Sequence, residues 1–258
     1  MNLFIAPFVN ALFWVYQLVG NFGLAIILVT ILIKLILWPL IMPSLKSAQR
    51  IRELQPKLNK LKEQYGKDKQ ALAKAQMELY KQEGVNPMSG CLPQIIQIAV
   101  LLLFFSAFNT VSSFSGGKVP LEKINSYLVQ PLRVDQSFNF DMNFFGSNLL
   151  QTPSKLFPEG FGPSWILPFI LLAGSGALQF FSAKLMMPAP KVSESIAKET
   201  KGKEDDMMAA MRTQSMYFMP LMTIFIGWNF SLGLLLYWFT TSTLMIVQQV
   251  VVNRMKKE

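Results

Sequence analysis

Histidine is absent from the 258 residues, and cysteine occurs once, at Cys91. Without histidine there is no imidazole general base, no His-ligated zinc and no histidine pH switch. A single cysteine excludes an internal disulfide framework and any multi-cysteine metal site. Charge is also scarce: 15% of the residues are Asp, Glu, Lys or Arg, against roughly 25% in soluble domains. Acidic residues are the scarcer sign, 15 against 24 basic ones, for a formal net charge of +9. No G-x-x-x-x-G-K-[ST] phosphate loop occurs, so neither a nucleotide nor any other cofactor is expected.

What is present is apolar sequence, 52% of the chain. A helix needs about 20 apolar residues to cross the hydrocarbon core. Residues 22–42 form a first span, 93–114 a second and 164–187 a third. The run 215–253 is too long for one crossing and splits near Asn229-Phe230-Ser231-Leu232-Gly233, giving a short fourth span and a fifth. Residues 1–21 are apolar with Phe13, Trp14 and Tyr16 together, and Gly20-Asn21 supplies a turn. This segment either spans or lies in the interface with its aromatics at headgroup level; the interfacial helix is the reading adopted.

Basic residues orient the spans. Segment 43–92 holds ten Lys and Arg, segment 115–163 holds four, and the tail 254–258 holds Arg254, Lys256 and Lys257. The positive-inside rule places 43–92, 188–214 and the tail in the cytoplasm, 115–163 outside, and the N-terminus outside. The fold class expected is an all-α polytopic membrane protein of five transmembrane helices.

Segment 43–92 reads as a cytoplasmic helical hairpin. Ile51, Leu54, Leu58, Leu61 and Tyr65 recur at spacings of three and four, and Leu72, Ala75 and Leu79 continue the stripe on the return arm. Gly66-Lys67-Asp68-Lys69 supplies the turn, Gly84 with Asn86-Pro87 ends the second arm, and Pro56 should kink the first. Arg50, Arg52, Lys57, Lys60, Lys62, Lys67 and Lys69 would give this arm a basic surface for anionic lipid or a ribosome-bound chain. Segment 115–163 mixes Gly, Pro, Asn and aromatics and reads as irregular interfacial structure with no fold of its own.

Lys34 stands out. It lies roughly 12 residues from one end of the first span and 8 from the other, about 18 Å and 12 Å at the helical rise. A Lys near the bilayer centre costs about 2.5–3.5 kcal/mol on insertion scales. No Asp or Glu falls in any of the expected spans, so an ion pair within them is unavailable. Lys34 is too deep for easy snorkelling, which leaves a position facing water in a cavity open to the cytoplasm. Gln94, Gln97, Ser106, Asn109, Gln179, Ser182, Thr240, Thr241, Ser242, Thr243, Gln248 and Gln249 could line such a groove, although each alone is explained by an interhelical hydrogen bond. The competing class is a small secondary transporter or channel in which Lys34 binds an anionic solute; no inverted repeat supports it.

Four ordered blocks then carry a resemblance. They are Thr30-Ile31-Leu32-Ile33-Lys34 with Pro39-Leu40; Asn86-Pro87-Met88-Ser89-Gly90-Cys91-Leu92-Pro93-Gln94 with Gln97; Leu178-Gln179; and Pro220, Gly233-Leu234-Leu235-Leu236-Tyr237-Trp238 and Gln248-Gln249. In these the chain resembles the YidC/Oxa superfamily of membrane protein insertases, in its bacterial five-span form. The resemblance implies an amphipathic N-terminal helix on the outer face, a cytoplasmic hairpin, and a hydrated groove open to cytoplasm and lipid in the bacterial inner membrane. It implies a non-enzymatic protein that inserts and helps fold nascent membrane proteins, alone or with the Sec translocon, with the ribosome and anionic lipids as candidate partners. The family's groove charge falls on Lys34, with Thr30, Gln97, Gln179 and Trp238 as groove neighbours. The family typically has Arg in that place; Lys loses its proton more readily in a dry site, so a charge used here requires a wet groove.

Overall fold

Hydrophobic residues at helical spacing account for nearly all of the regular structure in the computed structural model, which describes residues 2–65, 68–86, 92–156, 162–186 and 214–254. The helices are α1 (Asn2–Val19), α2 (Phe22–Glu53), α3 (Gln55–Tyr65), α4 (Lys69–Gln82) and α5 (Leu92–Ser115). Two short helices follow, α6 (Leu121–Asn125) and α7 (Pro153–Leu156), and then α8 (Ile166–Met186), α9 (Met219–Gly227) and α10 (Leu232–Arg254). Between α6 and α7, β1 (Asn143–Phe144) pairs antiparallel with β2 (Ser147–Asn148), Asn143 facing Asn148 and Phe144 facing Ser147. Four helices, α2, α5, α8 and α10, are long and apolar enough to cross a bilayer; α1 and α9 are apolar but shorter.

The first apolar segment is only part of α2, which runs on past residue 42 to Glu53 despite Pro39 and Pro43. Its buried residues, Phe22, Ala25, Ile26, Val29, Thr30, Lys34, Ile41, Ser44 and Leu45, follow the helical period and form one stripe. Leu24, Leu28, Leu32, Leu35, Ile36 and Leu40 are exposed on the other side, the pattern of a helix with one face to protein and one to lipid. The helix stops at Leu54, two residues before Pro56, whose ring would meet the Arg52 carbonyl and whose missing N–H would leave it unbonded.

The hairpin beyond it has a small core of Ile51, Leu54, Leu58, Tyr80 and Val85, with Leu79 packed against it. Asp68 caps α4 by accepting from the N–H groups of Gln70 and Ala71, both at 3.0 Å. Gly84, at φ +64°, ends α4: Val85 N–H donates to Tyr80 O at 2.9 Å and Gly84 N–H to Lys81 O at 3.2 Å. These are the paired bonds of a Schellman stop, and Val85 closes it by packing with Tyr80.

Segment 115–156 beyond α5 is largely irregular, with elements of only two to five residues, but it is packed into the core. It contributes Ile124, Leu128, Leu132, Phe140, Met142, Phe144 and Leu149 to the main core, together with the α1 residues Val9, Leu12, Phe13 and Tyr16. Phe140 lies at the centre of an aromatic cluster, with ring centroids 4.8 Å from Phe13, 4.8 Å from Tyr16, 4.9 Å from Phe138 and 5.1 Å from Phe22. The segment also supplies acceptors that helix N-termini lack. Phe22 N–H donates to Asp141 O at 3.1 Å; Leu232 and Gly233 N–H donate to Gln151 O and Leu149 O at 2.8 and 2.9 Å. It therefore caps both α2 and α10. Asn10 locks α1 to it: the side chain donates to Tyr127 O at 2.6 Å and accepts from Val129 N–H at 2.8 Å.

Candidate functional site

Lys34 sits on the inward stripe of α2 and is only 8% exposed. Its Nζ donates to Gln97 Oε1 of α5 at 2.7 Å, and Gln97 Nε2 lies 3.1 Å from the Tyr237 hydroxyl of α10. A lysine ammonium has only donors, so the amide oxygen must be the atom that faces it; the amide nitrogen is left to donate to Tyr237. Tyr237 is held in turn by its ring, which stacks on Phe104 with centroids 4.1 Å apart and planes within 14°. One hydrogen-bonded chain thus ties three membrane-length helices together.

Around this chain lies a pocket lined by Thr30, Ile33, Lys34, Leu37, Ile41, Ile96, Gln97, Val100, Tyr237 and Thr241. It offers about 10 Å³ to a water's centre, about the room that one water needs. The Thr30 hydroxyl donates to Ile26 O at 2.6 Å, which leaves its oxygen lone pairs for the pocket. No ion pair to Lys34 forms among the described residues. An amide oxygen satisfies one of the three ammonium donors, and a water in the pocket could take another. Among the described residues no cluster of three His, Cys, Asp or Glu forms a metal site.

The residues expected at the groove divide into two groups. Thr30, Lys34 and Gln97 meet in the pocket. Gln179 on α8 lies instead against α9, its Oε1 2.8 Å from the Thr223 hydroxyl, which also lies 3.0 Å from Met219 O. Trp238 is half-buried and pairs with Phe230 at 5.9 Å between ring centroids, outside the pocket lining. Its neighbour Tyr237 occupies the place by Gln97, and the residue-by-residue reading missed it. Several other expected groove residues are satisfied within their own helix. Ser106 donates to Leu102 O at 2.9 Å, Thr240 to Leu236 O at 2.8 Å and Thr243 to Phe239 O at 2.9 Å. Short hydroxyl side chains reach the carbonyl one turn back, so a partner across the interface is unnecessary.

On the hairpin, Arg50, Lys57 and Lys60 are exposed. Lys57 pairs with Glu83, a surface contact that contributes little to stability. Arg52 differs: it is half-buried and its Nη1 donates to the Leu185 carbonyl at the end of α8, where a cation complements the helix dipole. Lys67 and most of the Asn86–Gln94 block lie outside the described residues, as do the side chains of Lys62 and Lys69.

Comparison with known proteins adds an independent line. Residues 14–258 match the family model described as 60Kd inner membrane protein. The chain is 34% identical over 254 residues to proteins named membrane protein insertase YidC from Francisella tularensis subsp. novicida (strain U112) and subsp. holarctica (strain LVS). The alignment covers 96% of this chain and 36% of each relative, so the chain spans about a third of the length of these curated relatives.

Proposed function

Because this chain belongs to the 60Kd inner membrane protein (YidC/Oxa) family, we propose that it is an insertase of the inner membrane that inserts and helps fold membrane proteins. The observation that carries the mechanism is the buried ammonium of Lys34, 2.7 Å from a neutral amide oxygen and paired with no carboxylate among the described residues.

In this reading five helices cross the bilayer: α2, α5, α8, α9 with the turn before it, and α10. The helix α1 lies in the outer interface with segment 115–156, and the α3–α4 hairpin, segment 188–214 and the tail 254–258 are cytoplasmic. The pocket at Lys34 is the floor of a wet groove open to the cytoplasm, with Thr30 and Gln97 beside Lys34, and with Gln179 and Trp238 as further groove residues away from the pocket itself.

A client's short acidic tail enters this groove from the cytoplasm. Lys34 attracts its carboxylates and lowers the cost of carrying them part-way across. The apolar segment of the client then moves into lipid along the exposed faces of the helices, at about 25 cal/mol per Å² of apolar surface removed from water. A membrane potential assists outward movement of negative charge by about 2.3 kcal/mol per charge per 100 mV. The basic arm formed by Arg50, Lys57, Lys60, Lys62, Lys67 and Lys69 meets anionic lipid or a ribosome-bound chain, while Arg52 ties the arm to the end of α8; the Sec translocon is the candidate partner for larger clients. No nucleotide, metal or cofactor is required.

The test is reconstitution. Liposomes holding only this chain receive a single-span client with an acidic tail, and protease protection scores its insertion. Insertion above that of empty liposomes is expected. Insertion equal to empty liposomes, together with uptake of a small anion, would replace this reading with a solute transporter.

A further inference from the structure

We propose that Gln97 is the specificity-determining residue of the groove: its amide oxygen occupies, in the resting protein, the position that a client carboxylate takes on Lys34. The inference rests on the insertase reading above and assigns the resting partner of the groove charge.

Three observations carry it. The oxygen lies 2.7 Å from Nζ, the distance of a charge-assisted hydrogen bond. The amide cannot turn its nitrogen to Lys34 without facing donors with donors, and Tyr237, stacked on Phe104, holds the nitrogen end at 3.1 Å. The remaining pocket wall contributes Ile33, Leu37, Ile41, Ile96 and Val100, which offer no side-chain acceptor, and Thr30 and Thr241, whose hydroxyls are weaker ones than an amide oxygen. Gln97 is thus the strongest neutral acceptor within the pocket.

A neutral amide at this position has a particular consequence. It keeps the ammonium hydrogen-bonded and aimed into the pocket while no client is present. It is also a weaker partner than a carboxylate, so an arriving Asp or Glu side chain displaces it. A resident carboxylate would hold Lys34 permanently, and an apolar residue would offer no competition. The side chain at residue 97 should therefore set how strongly acidic tails are preferred over neutral ones, with opposite effects for the two kinds of substitution.

The experiment uses the full chain in liposomes and two clients that differ only in the tail, one carrying Asp and Glu, the other Asn and Gln. The neutral-tailed client reports that each variant is folded and active; the ratio of the two reports the pocket. Gln97→Glu is expected to lower the acidic-to-neutral ratio about tenfold, the scale of one charge-assisted hydrogen bond. Gln97→Met is expected to hold the ratio at or above that of the parent. Reduction of the ratio by both variants would identify Gln97 as a structural support, and no change in either would remove it from recognition; both results overturn the proposal while leaving the insertase reading in place. A parent that inserts neither client would overturn both.

Discussion

The close approach of α5 to α10 sets a measurable limit at Gly233. A methyl added there would lie 2.3 Å from Phe108 Cε2 and 2.6 Å from its Cζ. Phe108 has little freedom to yield: it is 1% exposed and its ring lies 6.1 Å from that of Phe22. Gly233 is fixed as well, because its N–H donates to Leu149 O at 2.9 Å and helps cap α10. Gly233→Ala should therefore overpack the junction at a cost of about 1–3 kcal/mol. Better helix propensity of Ala offsets up to about 1 kcal/mol of this. The 2.3 Å approach to a buried ring places the cost at the upper end of that range, so a net loss of about 2 kcal/mol, at about 2–4 °C per kcal/mol for a chain of this size, should lower the melting temperature by roughly 4–8 °C. Thermal unfolding in detergent, followed by tryptophan fluorescence, reads this directly. Phe108→Leu removes the two offending ring atoms, so the double variant should be less destabilised than the sum of the single ones. A Gly233→Ala protein as stable as the parent, or strict additivity in the pair, would refute the packing argument.

Two further outcomes follow from segment 115–156. Asn10→Ala removes the side chain that joins α1 to the carbonyl of Tyr127 and the N–H of Val129. It should cost about 1–3 kcal/mol and raise hydrogen exchange at the Val129 amide, whereas unchanged protection there would show that α1 is held by its apolar contacts alone. At Asp135, the Ser137 hydroxyl and then the Ser137 backbone N–H hold the carboxyl below its ordinary value. A carboxyl lowered by folding stabilises the fold above its unfolded pKa, and this contribution is lost as pH falls through the lowered folded value. Ser137→Ala should move the Asp135 titration upward in a carboxyl NMR experiment; an unmoved titration would contradict the hydrogen-bond assignment.

Hydropathy alone was sufficient to find the long apolar helices, because length and apolar content are local properties of sequence. It also located the turn that divides the last long run, at residues 228–231. The hairpin was legible for a similar reason: its stripe, the turn before α4 and the Gly84 stop act over a few residues, whereas the Asp68 cap emerged only from the structure. Segment 115–156 was not, since Phe140 meets Phe13 and Tyr16 through contacts that span more than a hundred residues and have no period to detect. The pocket was legible in part. Lys34 and Thr30 share a helical stripe with buried apolar neighbours, and an unpaired Lys there drew attention to Gln97. Tyr237 was missed because α10 is buried continuously from Leu232 to Tyr237 and carries no amphipathic signal that reveals its rotation. Adjacent residues on a helix point about 100° apart, so the choice between Tyr237 and Trp238 is made by packing against Phe104 and Phe230.

The central claim is that the charge of Lys34 attracts acidic tails into the groove. It is tested most directly by comparing the parent, Lys34→Ala and Lys34→Arg in liposomes that contain no other protein, with one acidic-tailed and one neutral-tailed single-span client. The account predicts that Lys34→Ala lowers insertion of the acidic-tailed client by about tenfold, one charge-assisted contact, while neutral-tailed insertion persists and Lys34→Arg retains both. Equal insertion of the acidic-tailed client by the parent and Lys34→Ala would contradict it and assign the driving force to the apolar segment alone.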